Sequence, residues 1–133
     1  YKTLHACIQA GVDTIEPGVK SSEIQTAMAQ VLDQQNVQAS LPHGHGLGLE
    51  IRDYPIIAPK NDLYIRDDCV EIPSDLPLET NMVVNLEASI FQVRNGALHI
   101  EQSFLITANG CQPLIPQDRV LPRSPKSLIF ILP

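Results

Sequence analysis

Apolar residues recur at helical spacing at the start of the chain, at Leu4, Ile8, Gly11, Val12 and Ile15, and Glu16-Pro17-Gly18 interrupts the pattern. A first helix is therefore predicted. A second follows, with Ser21 or Ser22 as its cap, Ser22 and Gln25 at capping-box spacing, and Ile24, Ala27, Met28, Val31 and Leu32 as its buried stripe, fraying near Asn36. The short Pro-Gly turn between them makes the two helices neighbours. From Pro42 onward the 3.6-residue period disappears and glycine, proline and β-branched residues take over. Residues 51–58 read as an extended segment, and residues 60–77 as a loop region with one short strand around Tyr64 and Val70. Residues 82–93 and 97–107 alternate as strands, and Asn109-Gly110 ends the second in a turn. Beyond Cys111, the prolines at 113, 116, 122 and 125 predict an extended or irregular tail. Its SLIFILP end is apolar but short, and is expected to dock or self-associate.

The two long strands are two-faced. Met82, Val84, Leu86, Ala88 and Ile90 share one side of the first, and Asn85, Glu87, Ser89 and Phe91 the other. In the second, Leu98, Ile100, Phe104 and Ile106 oppose His99, Glu101 and Ser103. Whether the two central carboxylates meet depends on hairpin register, because a slip of one residue reverses every side chain. A two-residue Asn95-Gly96 turn pairs Glu87 with Phe104 and separates the acids. A three-residue loop over 94–96, with Gly96 left-handed and a bulge, pairs Glu87 with Ser103 and Ser89 with Glu101. The acids then lie diagonally on one face, roughly 7–8 Å apart at the backbone. Like charges that close repel unless a proton or cation separates them, and a metal ion is the natural occupant. The simpler alternative is a one-sided sheet whose polar face meets water.

At 133 residues, 44% apolar and 18% charged, the chain has the size and composition of one globular domain. Nine basic against fifteen acidic residues give a net charge of −6 without a Lys/Arg cluster, which argues against nucleic acid or an anionic membrane as partner. Cys7, Cys69 and Cys111 are odd in number and widely spaced, which favours reduced thiols and a cytoplasmic setting. No apolar run approaches the roughly twenty residues of a membrane span. The chain opens at Tyr1, already inside a helical pattern, and is expected to be a piece of a longer protein.

Three stretches in order, GHGLGLE from Gly44, LETNMVVNLEASIF from Leu78 and ALHIEQSFLITANGCQPL from Ala97, resemble the pita-bread metallohydrolases: methionine aminopeptidase, aminopeptidase P, prolidase and creatinase. PGVKSSEI at Pro17 is similar to the stretch that opens a helix in those proteins. The resemblance implies an α+β fold, the C-terminal portion of the pita-bread architecture, with two helices packed on a curved, mainly antiparallel sheet. Residues 1–119 then form a partial catalytic domain and residues 120–133 an irregular tail. It also implies that His45, Glu87 and Glu101 are ligands to divalent metal ions (Mn, Co, Zn or Fe), two in the full-length protein. These ions activate water and polarise a scissile carbonyl, and Glu87 passes a proton to the leaving amine.

Some positions depart from the family pattern. Arg52 stands where a substrate-facing histidine is usual; it stays charged, and either clamps a substrate carboxylate or pairs with Asp53. Ala88 replaces the usual proline after Glu87. The family's two aspartate ligands come from a hairpin preceding the first helix, outside this sequence; Asp67-Asp68 reads as a solvated loop instead. His43 reads as a loop or supporting residue with metal contact as the alternative, and His99 as an exposed strand histidine with a supporting role at Glu101 as the alternative. Cys69 and Cys111 read as packing thiols. Gly44, Gly46 and Gly48 do not make a phosphate loop, since no helix follows them. The function implied is metal-dependent cleavage of a terminal peptide or other C–N bond in the full-length protein, aminopeptidase-like or Xaa-Pro dipeptidase-like, with Glu87, His45 and Arg52 at the reaction centre. This chain alone is then inactive. The alternative is a non-catalytic binding module that has lost the metals. A peptide or small-molecule substrate and a homo-oligomer are the expected partners.

Overall fold

The computed structural model describes residues 1–37, 43–67, 70–92 and 96–116. Helix α1 runs over Lys2–Thr14 and α2 over Ser21–Gln34. Seven strands follow: β1 (Gly44–Gly46), β2 (Asp53–Ile57), β3 (Tyr64–Asp67), β4 (Val70–Pro73), β5 (Val83–Gln92), β6 (Gly96–Thr107) and β7 (Gly110–Pro113). Five form one sheet in the order β2-β1-β5-β6-β7, and β3-β4 form a separate hairpin. Every pairing among the described strands is antiparallel. The architecture is thus the α+β arrangement expected: two helices on an antiparallel sheet.

The helix stripes and the apolar strand face close on each other. Leu4, Cys7 and Ile8 of α1 and Ile24, Met28 and Leu32 of α2 are buried with Val84, Leu86, Ala88, Phe104 and Ile106 of the sheet. Fully burying a side chain such as Leu86 contributes roughly 1.5–3 kcal/mol. The Cys7 thiol lies 3.5 Å from the Met28 carbonyl, fixing α1 beside α2.

Both ends of α2 differ from expectation. Its N-cap is Lys20, whose backbone N–H donates to Glu23 Oε1 at 3.1 Å; this is the acidic arm of a capping box. Ser21 and Ser22 lie inside the first turn, and Asp75 serves them from far along the chain. Its carboxylate accepts the Ser22 backbone N–H at 3.0 Å and the hydroxyls of Ser21 and Ser22 at 3.0 and 2.9 Å. At the other end α2 does not fray. Asn36 takes φ +52°, its N–H donates to the Asp33 carbonyl, and the Val37 N–H donates to the Leu32 carbonyl at 2.9 Å. That pair of bonds is a Schellman motif, with asparagine in the left-handed position that glycine usually fills.

The loop region between the sheet strands is also more ordered than its composition suggested. It holds a complete hairpin, β3 paired with β4, instead of one short strand. The segment after it runs antiparallel to the connection between the helices, through bonds from Gly18 N–H to the Leu78 carbonyl and from Ser21 N–H to the Leu76 carbonyl. After the 108–109 turn, the start of the tail forms the edge strand β7 against β6, with Pro113 at its end. Asp68, Cys69, the loop residues Arg94 and Asn95, and everything from Gln117 on, including SLIFILP and the 119/120 boundary, lie outside the described residues.

Candidate metal centre

Strand β1 is the sequence GHG, and its two glycines are dictated by packing. It runs between β2 and β5, pairing Gly44 with Ile57 and Leu86, and Gly46 with Asp53 and Val84. A Cβ on Gly44 would collide with the backbone carbonyl of Asn85, and one on Gly46 with that of Tyr54. Only glycine permits this approach from both sides. The strand therefore delivers one side chain, His45, opposite Asn85 on the polar face of the sheet. The ring is buried, and its Nδ1 lies 2.9 Å from the Gly46 carbonyl. A carbonyl only accepts, so Nδ1 is the donor in this contact, and Nε2 is the nitrogen it leaves unengaged.

The β5-β6 register brings the two glutamates together more closely than the diagonal arrangement anticipated. Glu87 pairs directly with Glu101, within an unbroken ladder from Val83↔Leu105 to Gln92↔Gly96. The loop is thus the three residues after Gln92, one position earlier than the 94–96 loop, and no bulge offsets the ladder. Gly96 does take the positive φ expected of it, +98°. Serines once placed opposite the acids pair elsewhere: Ser103 with Asn85, and Ser89 with His99.

Around this pair the polar face carries a connected set of side chains. The Ser103 hydroxyl donates to Asn85 Oδ1 at 3.0 Å, and Asn85 Nδ2 donates to Glu101 Oε2 at 3.3 Å. Asn85 is buried, so its amide fixes the Glu101 carboxylate from below. His99 Nε2 lies 3.5 Å from Glu101 Oε2 and 3.9 Å from Glu87 Oε2. Glu87 is only 11% exposed in its side chain, whereas Glu101 and His99 are open to solvent on one side. Donor atoms of Glu87, His99 and Glu101 all lie within 4.8 Å of one another. His45, on the neighbouring strand opposite Asn85, two residues from Glu87, stands outside that group. His99 is exposed, as its strand position suggested, yet it turns toward both acids. Asn85 and Ser103 were readable as sharing the Glu87 face, but not as the link that orients Glu101.

Arg52 does not pair with Asp53. Its guanidinium reaches Glu87 Oε1 at 3.5 Å, while the Asp53 carboxylate accepts the backbone N–H groups of Leu49 at 3.2 Å and Tyr54 at 2.8 Å. His43 lines a cavity of about 450 Å³ with Gln25, Leu32 and Lys60. Burial pushes its imidazole below the usual range, against the opposing influence of the Glu87 backbone bond and charge. Its main chain is structural: the Glu87 N–H donates to the His43 carbonyl at 2.9 Å, which continues the β1-β5 pairing.

An acidic pair with an imidazole nearby, on one side of a sheet whose other side carries two helices, is the arrangement that the resemblance to the pita-bread proteins implied. The chain belongs to metallopeptidase family M24, whose sequence pattern matches residues 1–108. The Xaa-Pro dipeptidase of Pyrococcus horikoshii is 24% identical over 123 residues, 91% of this chain and 31% of that protein. Among solved structures, dipeptidase PepE from Mycobacterium ulcerans superposes with a TM-score of 0.74 at 25% identity, over 89% of this chain and 29% of its own. The prolidase from Pyrococcus furiosus gives 0.75 at 24% identity, over 90% and 32%. The chain spans about a third of the length of the curated relatives it matches. The family implies divalent metal ions, and the donor set fits them: a buried carboxylate facing a second carboxylate without a bulge, with imidazole nitrogen at hand.

Proposed function

We propose that this chain is the C-terminal part of the catalytic domain of a metal-dependent exopeptidase that cleaves Xaa-Pro dipeptides or a terminal residue. The direct pairing of Glu87 with Glu101 on the open face carries the reading, because two carboxylates so placed call for a shared cation. His45, Glu87 and Glu101 hold the divalent ions, drawn from Mn, Co, Zn or Fe. Such an ion supplies Lewis acidity, which polarises a carbonyl and acidifies water. Glu87, the buried acid, takes up the proton of the attacking water and returns it to the leaving amine. Arg52 is more than half exposed and touches Glu87 at only one oxygen, so it is free to swing onto a substrate carboxylate. A homo-oligomer belongs to the same reading, supported by the exposed side chains of Leu49 and Ile51 beside the site. A cytoplasmic setting is supported by the free thiols of Cys7 and Cys111.

One observation favours a second reading. Arg52 already supplies a positive charge to Glu87, as a binding module without metals requires. The test is turnover by the full-length protein, stripped with chelator and restored with Mn or Co, on Xaa-Pro dipeptides and on peptides with N-terminal methionine. Chelator-sensitive turnover that Glu101→Ala abolishes is the expected result. No turnover on any of these, with or without ion, counts against the exopeptidase reading and favours the binding module.

A further inference from the structure

Glu87 uses its two oxygens for different neighbours: Oε1 meets Arg52, and Oε2 meets His99. Glu101 presents the same oxygen, Oε2, to Asn85 and to His99. One imidazole nitrogen is thus flanked by a carboxylate oxygen from each of two neighbouring strands. Strand register makes this arrangement firm. His99 and Glu101 are two residues apart on β6 and therefore share a face, while Glu87 stands directly across from Glu101.

The separations have a chemical meaning. Metal bonds of about 2.0–2.2 Å to nitrogen and oxygen place the ligand atoms of a tetrahedral site roughly 3.3–3.6 Å apart. His99 Nε2 already lies 3.5 and 3.9 Å from the two glutamate oxygens. The donor atoms of the two glutamates lie within 4.8 Å of each other, so side-chain rotation is what brings all three onto one ion. Asn85, itself buried and tied to Ser103, holds Glu101 in place, so the carboxylate that faces solvent is oriented before any ion arrives. Arg52 reaches the other oxygen of Glu87, Oε1, at 3.5 Å.

We infer that His99 is a direct ligand: Glu87, His99 and Glu101 of the β5-β6 hairpin all donate to one divalent ion. The inference rests on the proposed function and adds to it a nitrogen donor from β6, separate from His45 on β1. An imidazole with two carboxylates suits Zn, Co, Mn or Fe and disfavours Mg and Ca, which take oxygen donors.

The experiment is titration of the chelator-stripped full-length protein with Co(II) alone, followed by calorimetry and by proton NMR of the hyperfine-shifted, exchangeable imidazole signals. His99→Gln is compared with wild type and with Glu101→Gln. The expected result is that His99→Gln weakens Co(II) binding about tenfold or more and loses one shifted imidazole signal, with its urea transition in chelator unchanged. If His99→Gln binds Co(II) as wild type does, with every signal retained, while Glu101→Gln loses the ion, His99 is not a ligand and the proposed function stands without it. If Glu101→Gln also binds as wild type does, both are overturned.

Discussion

Replacing Glu101 with glutamine changes stability in opposite directions with and without metal. The carboxylate oxygens of Glu87 and Glu101 lie within 4.8 Å of each other. At that separation two unit charges repel by about 1 kcal/mol in bulk water and about 3.5 kcal/mol at an effective dielectric of about 20. Glu101 is 58% exposed in its side chain, which pulls the repulsion toward the lower figure, and Arg52 offsets part of it. Glutamine keeps an oxygen for the Asn85 amide and removes the charge. In chelator, Glu101→Gln is therefore expected to be more stable than wild type by about 1 kcal/mol. Manganese reverses the order. At a free concentration of about 100 times its Kd, an ion bound only to the folded state stabilises wild type by about 2.7 kcal/mol. The variant, with a carboxylate ligand gone, gains little. Urea unfolding of both proteins in chelator and in Mn(II) measures the crossing directly. The reasoning is refuted if Glu101→Gln is the less stable protein in chelator, or if both gain equally when the ion is added.

Two further expectations concern the scaffold. Asp75→Ala removes the carboxylate that serves the first turn of α2, and should cost about 1–2 kcal/mol in urea unfolding at neutral pH. Burial, the largest influence on Asp75, raises its carboxyl, but the Ser22 N–H, both serine hydroxyls and the Lys20 charge together bring it below the usual range. A depressed carboxylate stabilises the fold above the unfolded value of about 3.9, and this contribution fades as pH falls through the folded one. The gap between wild type and Asp75→Ala should therefore be full at pH 7 and close below about pH 4; a gap that widens in acid contradicts the capping role. Cys7 is fully buried and burial pushes its thiol up to about 12, so a thiol reagent at neutral pH should label it only after denaturant is added. Prompt labelling of Cys7 in the folded protein, located by peptide mapping, would show that α1 does not pack as described.

The two helices, the long hairpin and its polar face were legible because their signals are periodic and local. Leu4, Ile8, Ile24 and Met28 mark helix stripes, and alternation grouped Asn85, Glu87 and Ser89 on one side of their strand and His99, Glu101 and Ser103 on one side of theirs. What escaped prediction depended on single residues or on distant partners. A loop shifted by one position moved Glu87 from Ser103 to Glu101, a difference that hydrophobic patterning does not encode, since both registers bury the same residues. Asp75 caps a helix more than fifty residues away, so no local motif announces it. Asn36 ends α2 in a left-handed conformation where glycine is the stronger signal. His99 looked like an ordinary exposed side chain because its partners are set by register and rotamer. The resemblance to the pita-bread proteins supplied what periodicity lacked, namely a reason to expect both acids on the same site.

The β5-β6 hairpin also has a consequence for the order in which the molecule is made. Ten consecutive pairs join two strands separated by three residues, so these contacts are short-range in sequence and close quickly, with a hairpin's microsecond kinetics. Glu87, His99 and Glu101 all lie on it, and none waits for the helices to dock before meeting the others. Once both strands are made, local pairing alone brings the three side chains together, ahead of the long-range contacts of the core.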